Sequence, residues 1–454
     1  MRMLTLFLVL FVAVPSLAAR LVSGPMAGPS DHRSVTLWLQ ADGAARVAVE
    51  YWPLEAPAER RRSAPQPLRA DEQFVAQLRL SGLKPGSRYA YRVLFDGRAV
   101  GDVWQFATQA LWQWRRQSPD FTVLAGSCAF GNEPEFDRPG RPYGDRDDIF
   151  DRMAAEQADL MLWLGDNIYL REVDWGSLEG MEHRWAYVRR QPALQKLLRT
   201  GAHAAIWDDH DFGPDNANRS HPLKHHALAL QRRYWPNPSF GLPEAPGAFT
   251  SFSLNDAEFF LLDNRWYLDH PKLPAADRQM FGAEQMRWLK NALLNSTARF
   301  KLIAGGSQML NGTSRFSDSW ADYPAEREDF LRFLRETGIG GVVFLSGDVH
   351  RSELIRLERE GLYALHDLSC SPLTSGTHVN ESLRERPQLV PGTLVMGQRN
   401  YCRLRFEGLP EERRLVLQVI NADGQLQWTH TLSAAQLGAP WPMPRHPTLP
   451  RPQP

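Results

Sequence analysis

Four short polar clusters contain the side chains best able to do chemistry. Each follows a short apolar run: Gly126-Ser127-Cys128, Gly165-Asp166-Asn167-Ile168-Tyr169, Asp208-Asp209-His210-Asp211 and Gly347-Asp348-Val349-His350. Together they supply carboxylates, a thiol, a phenol and imidazoles. Carboxylates packed closely raise one another's pKa unless cations lie between them. A metal site of more than one ion is therefore the simplest explanation of the set.

Each cluster alone has an ordinary structural explanation. A cysteine after a strand, such as Cys128, is commonly a small buried hydrophobe, and a Gly-Asp pair is commonly a turn. The third cluster is harder to explain by packing, because it places three carboxylates around His210 directly after the apolar run 204–207. We therefore interpret the four clusters as parts of one site.

The apolar runs before the clusters predict strands that are covered on both faces. They lack alternation and lie at residues 121–126, 160–164, 204–207, 258–262, 300–304 and 341–345. Amphipathic helices are predicted at 148–157, 283–294 and 325–337. This pattern predicts an α/β domain over residues 121–436, a layered α+β sandwich of sheets flanked by helices. The clusters would then meet at the carboxyl ends of the strands.

The composition limits the classes of partner. Lys plus Arg and Asp plus Glu both total 52 in 454 residues, so no global field favours nucleic acid or an anionic membrane. Three cysteines are too few for a disulfide framework or a structural zinc cluster. Whether Cys370 and Cys402 pair in an oxidising compartment stays open, since the sequence does not give their distance.

Both ends of the chain predict segments outside the folded part. Residues 1–18 carry a cation at Arg2, an apolar block over 4–14 and a small-x-small cleavage site, which is typical of a Sec signal peptide. A membrane anchor is the alternative, but it needs about 20 apolar residues. We expect a secreted or periplasmic protein with no membrane span after cleavage. The proline-rich tail 437–454 is predicted to be disordered.

Residues 20–108 show a different periodicity. Apolar residues alternate in runs such as 34–39 and 46–51, and turn residues such as Asp96-Gly97 separate the runs. Short alternating strands at this spacing predict a small β-sandwich. The segment resembles the fibronectin-III-like amino-terminal domain of secreted phosphatases, and 109–120 would be the linker to the α/β domain.

The chain resembles the PhoD-like alkaline phosphatases and phosphodiesterases of the calcineurin-like metallophosphoesterase superfamily. The family's first metal motif takes the cysteine of Gly-Ser-Cys, here Cys128. Its second is Gly-Asp-x-x-Tyr, here Asp166 and Tyr169, as in the purple acid phosphatases. Five further segments match in order and spacing: Leu262-Asp263-Asn264-Arg265, Ala283-Glu284-Gln285 with Trp288-Leu289, Gly306-Ser307-Gln308, 320–327 and 368–374.

The resemblance implies two metals that share one carboxylate. The first would be held by Cys128, Asp166, Tyr169 and His350, and the second by Asp166, Asp209 and Asp348. Thiolate and phenolate ligands favour a transition ion, here ferric iron. The all-oxygen second site suits calcium, with manganese, magnesium or zinc as alternatives.

The function that the resemblance implies is an exported, metal-dependent phosphoesterase. It would hydrolyse phosphomonoesters, phosphodiesters or both, through attack of a metal-activated hydroxide. The substrates would be small-molecule, lipid or polymer phosphate esters. His210 would donate a proton to the leaving group or stabilise the charge that develops there, with Asp211 fixing its orientation. Arg265 would grip phosphate oxygens or form a salt bridge with Asp263.

Several residues near these motifs have less certain roles. After Asp211, relatives often carry an Asn-Asp pair, whereas this chain reads Phe-Gly-Pro-Asp215-Asn216-Ala-Asn218. Which of Asp215, Asn216 and Asn218 reaches the site stays open. Candidates for contact with the metal ligands or the substrate are Asn167, Asp208, Asn216, Asp263 and Gln308. An acidic loop over 133–148 is either a solvated surface or a further calcium site.

Two other functions are compatible with the same residues. A cysteine hydrolase would use Cys128 as nucleophile, with His210 or His350 as base, but this reading leaves the aspartates unexplained. A non-catalytic binding module would keep the metal for stability alone. The natural substrate and the oligomeric state cannot be derived from the sequence, because the loops around a site set its specificity.

Overall fold

The computed structural model describes residues 18–312 and 319–439. Residues 1–17 of the predicted signal peptide and most of the predicted tail therefore lie outside the described residues. The strands are β1 (Leu21–Ala27), β2 (Ser34–Ala41), β3 (Arg46–Pro53), β4 (Arg61–Arg62), β5 (Gln66–Pro67), β6 (Val75–Ser81), β7 (Arg88–Phe95), β8 (Arg98–Ala107), β9 (Phe121–Gly126), β10 (Leu160–Leu164), β11 (Ala202–Ile206), β12 (Thr250–Leu254), β13 (Ala257–Leu261), β14 (Phe300–Ala304), β15 (Val342–Ser346), β16 (Glu353–Leu357), β17 (Leu365–Ser369), β18 (Asn400–Glu407), β19 (Arg414–Asn421) and β20 (Leu426–Ser433). The helices are α1 (Ile149–Ala155), α2 (Leu178–Arg189), α3 (Pro192–Leu198), α4 (Asp209–Phe212), α5 (Lys224–Tyr234), α6 (Ala283–Asn295) and α7 (Pro324–Thr337).

Two large mixed sheets form the centre of the protein. The first has the order β20-β19-β18-β9-β10-β11-β1-β2-β6, and the second has the order β12-β13-β14-β15-β17-β16. β9, β10 and β11 are parallel neighbours in the first sheet, and β13, β14, β15 and β17 are parallel in the second. The predicted α/β architecture is confirmed.

The largest core contains side chains from both sheets. Leu162 of β10, Leu302 of β14, Val343 of β15 and Leu404 of β18 all belong to this buried cluster. The strands are apolar on successive residues because both of their faces are covered. A second core lies where α6 and α7 pack on the second sheet. α7 begins at Pro324 and is followed by Gly338 at φ 63°, a common way to end a helix.

The amino-terminal strands form two sheets around a separate core. β3, β4, β5, β7 and β8 make one sheet, while β1, β2 and β6 make the other. Alternate residues such as Leu37, Val49, Leu78 and Tyr91 are buried between them. The second of these sheets continues into the α/β sheet, because β1 pairs in parallel with β11 at Ala27 and Ala202. The sequence did not indicate this continuity.

None of the helices in the described ranges is long and apolar enough to cross a membrane. Cys370 and Cys402 form a disulfide, which answers the question that the sequence left open. Cys370 directly follows β17 and Cys402 lies in β18. The bond therefore joins the two central sheets.

Removal of this disulfide is expected to destabilise the fold. The two cysteines are 32 residues apart in sequence, and a loop of that length corresponds to about 3 to 4 kcal/mol of unfolding free energy, because the bond restricts the unfolded chain. Urea unfolding of a Cys370→Ala/Cys402→Ala double variant measures the loss. The wild type with this bond reduced keeps both sulfur atoms and is the control for lost side-chain volume. Equal stability of the double variant and the oxidised wild type would contradict the prediction.

A buried histidine makes stability depend on pH. His203 Nδ1 accepts from Trp163 Nε1 at 3.1 Å, and its Nε2 lies 3.0 Å from the Thr200 carbonyl, so the neutral ring fits this site. Burial lowers the pKa of His203 from 6.5 to about 4. The contribution of neutral His203 to the unfolding free energy is complete above pH 6.5 and is lost as the pH falls toward 4. Between pH 7 and 4, we expect the unfolding free energy of the wild type to fall by about 3 kcal/mol more than that of His203→Gln. Parallel losses in denaturant titrations of both proteins would contradict this.

Candidate metal centre

The four polar clusters meet at one edge of the central sheets. Gly126 pairs with Trp163 across β9 and β10, and Leu164 pairs with Ile206 across β10 and β11. The segments that follow these three strands therefore begin side by side at the same edge of the sheet. The segment after β15 brings its cluster from the second sheet, and the amide of Gly347 donates to the Gly306 carbonyl.

Four of the predicted ligands of the first metal come together there. Ligand atoms of Cys128, Asp166 and His350 all lie within 4.8 Å of one another, and all three residues are buried. Cys128 Sγ is 3.6 Å from Asp166 Oδ2. The hydroxyl of Tyr169 lies 3.1 Å from the same carboxylate oxygen and 3.5 Å from His350 Nε2.

The thiol and the imidazole are held by neighbouring groups. His350 Nδ1 contacts the carbonyl of Gly376, which assigns the proton to Nδ1 and leaves Nε2 free to act as a ligand. The hydroxyls of Ser127 and Ser371 lie 3.2 and 3.1 Å from Cys128 Sγ. Ser371 belongs to the 368–374 segment. The sequence did not indicate that this segment positions the thiol.

A second cluster shares Asp166 with the first. Ligand atoms of Asp166, Asp209 and His210 also lie within 4.8 Å of one another. Sequence reasoning expected His210 to act as an acid, and did not predict that it lies among the metal-ligand atoms. Asp348, predicted as a ligand of the second metal, belongs to neither cluster. Its Oδ2 is buried and has no hydrogen-bond partner in the described part of the chain.

The backbone at this edge is strained. Four of the six predicted ligands have left-handed φ values, namely Cys128 at 62°, Asp166 at 51°, Asp348 at 65° and His350 at 51°. Non-glycine residues adopt this region rarely, and each such residue costs about 1 to 3 kcal/mol. Residues in such conformations cluster at functional sites, where the surrounding structure holds them in place.

The electrostatics of the clusters fit bound cations. Burial, followed by the charges of Asp209 and Cys128, raises the pKa of Asp166 well above its usual value. Burial and the nearby Asp208 and Asp209 raise the pKa of Asp348 to about 8. Burial raises the pKa of the Cys128 thiol to about 12. Cations among these groups would favour their charged forms, so the residues fit the metal centre that the sequence predicted.

Asp208 forms an ion pair with a buried arginine. Arg265 is 1% exposed and forms a buried ion pair with Asp208, and the amide of Asn264 donates to the same carboxylate at 2.8 Å. The alternative salt bridge between Arg265 and Asp263 is wrong. Asp263 accepts from the indole of Trp207 at 2.7 Å, and from Arg265 only through its backbone N–H, at 2.9 Å.

The predicted role of Asp211 also needs correction. Its carboxylate accepts hydrogen bonds from the backbone N–H groups of Asn167, Ile168 and Asp208, at 2.9 to 3.2 Å. Asp211 therefore ties the second cluster segment to the third and does not orient the His210 imidazole. The Asn167 amide donates to the Ile206 carbonyl and to Asp211, so it supports the same connection.

His210 is positioned by other groups. Its Nε2 lies 3.7 Å from Asp215 Oδ1, and its side chain is 23% exposed. Its ring lies 4.3 Å from the ring of Tyr169. The imidazole is therefore within reach of solvent, whereas the neighbouring carboxylates of Asp166 and Asp209 are buried.

Asn216 and Gln308, two further candidates, mainly form hydrogen bonds to other side chains of the protein. The backbone N–H of Asn216 donates to Asp209 Oδ2 at 2.7 Å, while its side chain donates to Asp215. The Gln308 amide donates to Glu353 Oε1 at 2.6 Å and to Ser369 Oγ at 2.8 Å. Asn216 thus orients Asp209 through its backbone, and the Gln308 amide is held by the second sheet.

Arginines pair with several acids of the loop 133–148. Asp137 binds Arg171 at 2.7 Å, Asp148 binds Arg146 at 2.9 Å, and Asp145 Oδ2 lies 3.4 Å from Arg399. Each of these three carboxylates thus has an arginine partner.

Comparison with known proteins relates the chain to phosphatases. The family model of the PhoD-like phosphatases matches residues 143–408, and a domain family of unknown function matches residues 18–111. Alkaline phosphatase D of Bacillus subtilis (strain 168) is 30% identical over 251 residues, which are 45% of this chain and 43% of that protein. The chain thus matches less than half the length of this curated relative.

Two solved structures share the fold. A structure of PhoD superposes with a TM-score of 0.73 at 20% identity, over 92% of this chain and 94% of that one. The purple acid phosphatase PPD1 from yellow lupin seeds superposes with a TM-score of 0.61 at 14% identity, over 90% and 74%. Because the family model covers more than half of the sequence, the chain belongs to the PhoD-like phosphatase family.

Proposed function

We propose that the protein is an exported, metal-dependent phosphoesterase that hydrolyses phosphomonoesters, phosphodiesters or both. The observation that carries this proposal is the pair of ligand clusters that share the buried carboxylate of Asp166. Two adjacent sites with a common carboxylate suit a pair of cations that clamp a phosphoryl group. The name of the related alkaline phosphatase D supports the same class of reaction.

The donor atoms differ between the two proposed metal sites. Cys128, Asp166, Tyr169 and His350 would hold iron, because thiolate and phenolate ligands favour a transition ion. Asp166, Asp209 and Asp348 would hold calcium, with manganese, magnesium or zinc as alternatives, and His210 Nε2 or Nδ1 could add a nitrogen ligand to this site. The ions would supply Lewis-acid charge to the phosphoryl oxygens and acidify water.

The protein's own side chains would carry the remaining steps. His210 is the partly exposed imidazole beside the buried ligands, so we propose that it donates a proton to the leaving group. Asp215 and the ring of Tyr169 would hold it in place. Arg265 would act mainly by compensating the charge of Asp208, to which it is paired, and its grip on phosphate stays a prediction.

Burial argues against Cys128 as a nucleophile. The thiol is fully buried and its pKa is raised to about 12, whereas a reactive cysteine needs an accessible thiolate. A non-catalytic binding module with a structural metal would leave the partly exposed imidazole of His210 beside the clusters unexplained. Both alternatives are thus less well supported than hydrolysis at the metal centre.

The remaining parts of the proposal concern location and substrate. Export through a Sec signal to the periplasm or the exterior is supported by the Cys370–Cys402 disulfide, since such bonds persist in oxidising compartments. We propose that residues 20–108 form a fibronectin-III-like β-sandwich, linked by 109–120 to a catalytic domain over 121–436. The substrates would be small-molecule, lipid or polymer phosphate esters, without specific nucleic-acid binding.

Metal analysis combined with two model esters tests this function. We expect about one iron per chain, together with hydrolysis of p-nitrophenyl phosphate, bis-p-nitrophenyl phosphate or both. Chelation should lower the rates about a hundredfold or more, and added metal should restore them. Metal-free protein that still hydrolyses either ester and loses activity on thiol alkylation would refute the proposal in favour of the cysteine mechanism. The ratio of the two rates separates monoesterase from diesterase.

A further inference from the structure

A cavity of about 520 Å³ lies beside the metal-ligand segments. Ala129 and Asn167, which follow Cys128 and Asp166 in the chain, line it together with α2 and α3 residues such as Arg189 and Leu194. The ligand side chains themselves are not among its lining residues. Loop residues 141–142 and 144–147 complete the wall on another side.

Tyr143 separates this cavity from the metal centre. Its ring lies 6.1 Å from the ring of His350 and 6.2 Å from that of Tyr169. The neighbouring Pro142 and Gly144 line the cavity instead. The loop therefore has the clusters on one side and the cavity on the other, and a ligand in the cavity would occupy a different site from the substrate.

The cavity contains an arginine for which the described residues supply no ion-pair partner. Arg189 is 1% exposed, and neither its Nε nor its Nη2 has a hydrogen-bond partner within residues 18–312 and 319–439. Its guanidinium carbon lies 3.8 Å from the ring centroid of Trp235. Stacking uses the face of the guanidinium and leaves its N–H groups at the edge for another partner.

No carboxylate among the described residues forms an ion pair with Arg189. Asp211 and Tyr234 are the groups whose charges raise the pKa of Arg189, against the larger lowering by burial. Asp211 is already occupied by the N–H groups of Asn167, Ile168 and Asp208. An uncompensated buried charge is costly, so an anion from solution would be stabilised here.

The cavity also offers an acceptor. Asn167 Oδ1 is buried and, among the described residues, nothing donates to it. The amide nitrogen of the same side chain donates to the Ile206 carbonyl and to Asp211. A ligand that satisfies both residues needs oxygens that accept from Arg189 and a hydroxyl that donates to Asn167. We propose that this cavity binds a small protonated oxyanion, such as inorganic phosphate, at a site separate from the metal centre.

Phosphate binding to the holoenzyme tests this proposal. By equilibrium dialysis at constant ionic strength, we expect Arg189→Met to bind one phosphate per chain fewer than the wild type, or to bind it more than tenfold more weakly. The matched control is Arg190→Met, since Arg190 is the exposed neighbour of Arg189. It should bind as the wild type does. Sulfate, which lacks a hydroxyl, should compete only weakly for this site.

The design remains informative if one substitution impairs folding. Ala193 also lines the cavity, so Ala193→Trp should block the same site and keep the arginine. Equal phosphate stoichiometry and affinity in the wild type, Arg189→Met and Ala193→Trp would overturn the proposal, as would equal affinity for sulfate. The proposal does not depend on the proposed activity. A protein without functional metals would still bind one phosphate, and Arg189→Met would bind none.

Discussion

Asp166→Asn is expected to lower kcat/KM for phosphate esters about a thousandfold or more. Asp166 is the residue common to both ligand clusters, so its substitution removes a ligand from both proposed metal sites at once. Loss of a group that only supports a ligand typically costs 10- to 100-fold in metal affinity or activity, and a shared ligand should cost more. We expect the purified variant to contain less than one metal ion per chain.

Asp367→Asn is the matched control for this substitution. Asp367, in the middle of β17, is also fully buried, and it accepts hydrogen bonds from the N–H groups of Met309 and Leu310. It lies in neither ligand cluster. The control should lose stability but keep its metals and most of its kcat. Full activity of Asp166→Asn, or equal metal loss in both variants, would contradict a shared metal ligand.

Local patterns in the sequence were sufficient to predict the elements that position the site. The run 160–164 and the observed β10 have the same bounds, and the helix predicted at 325–337 corresponds to α7 at Pro324–Thr337. Both signals are local, since burial of successive residues marks a covered strand and proline and glycine mark helix ends. The convergence of the clusters followed from the general geometry of parallel sheets.

The partners of individual polar side chains could not be predicted in the same way. Asp208 follows β11, but its ion-pair partner Arg265 comes from the segment after β13 in the other sheet. Similarly, Asp211 is next to His210 in sequence, yet in this turn its carboxylate points to backbone N–H groups at Asn167 and Asp208. Such choices depend on side-chain directions across two sheets, which neither spacing nor composition determines.

The pairing of the amino-terminal strands with the central sheet could not be predicted from the sequence either. The sequence of β1 gives its tendency to form a strand, but pairing with β11 joins residues that are 175 positions apart, at Ala27 and Ala202. The Arg189 cavity is likewise built from segments far apart in sequence. In both cases the information lies in long-range packing, where single-sequence patterns carry little signal.

His210→Gln is expected to lower kcat by about 10²- to 10⁴-fold for alkyl phosphate esters, the range typical of a lost general acid. The loss should be much smaller for p-nitrophenyl phosphate, because p-nitrophenolate leaves readily without a proton. The alternative role follows from the position of His210 in the second cluster. If the imidazole is mainly a metal ligand, its loss should affect both kinds of ester equally and should remove metal.

Two measurements on His210→Gln therefore assign the role of this residue. Steady-state rates with an alkyl and a p-nitrophenyl ester give the dependence on the leaving group, and metal analysis gives the ions per chain. His225→Gln is the matched control, since His225 is an exposed histidine on α5 that packs against Trp266 and should change neither quantity. Equal losses with both esters at full metal content would contradict both roles, because neither proton donation nor metal binding would explain them.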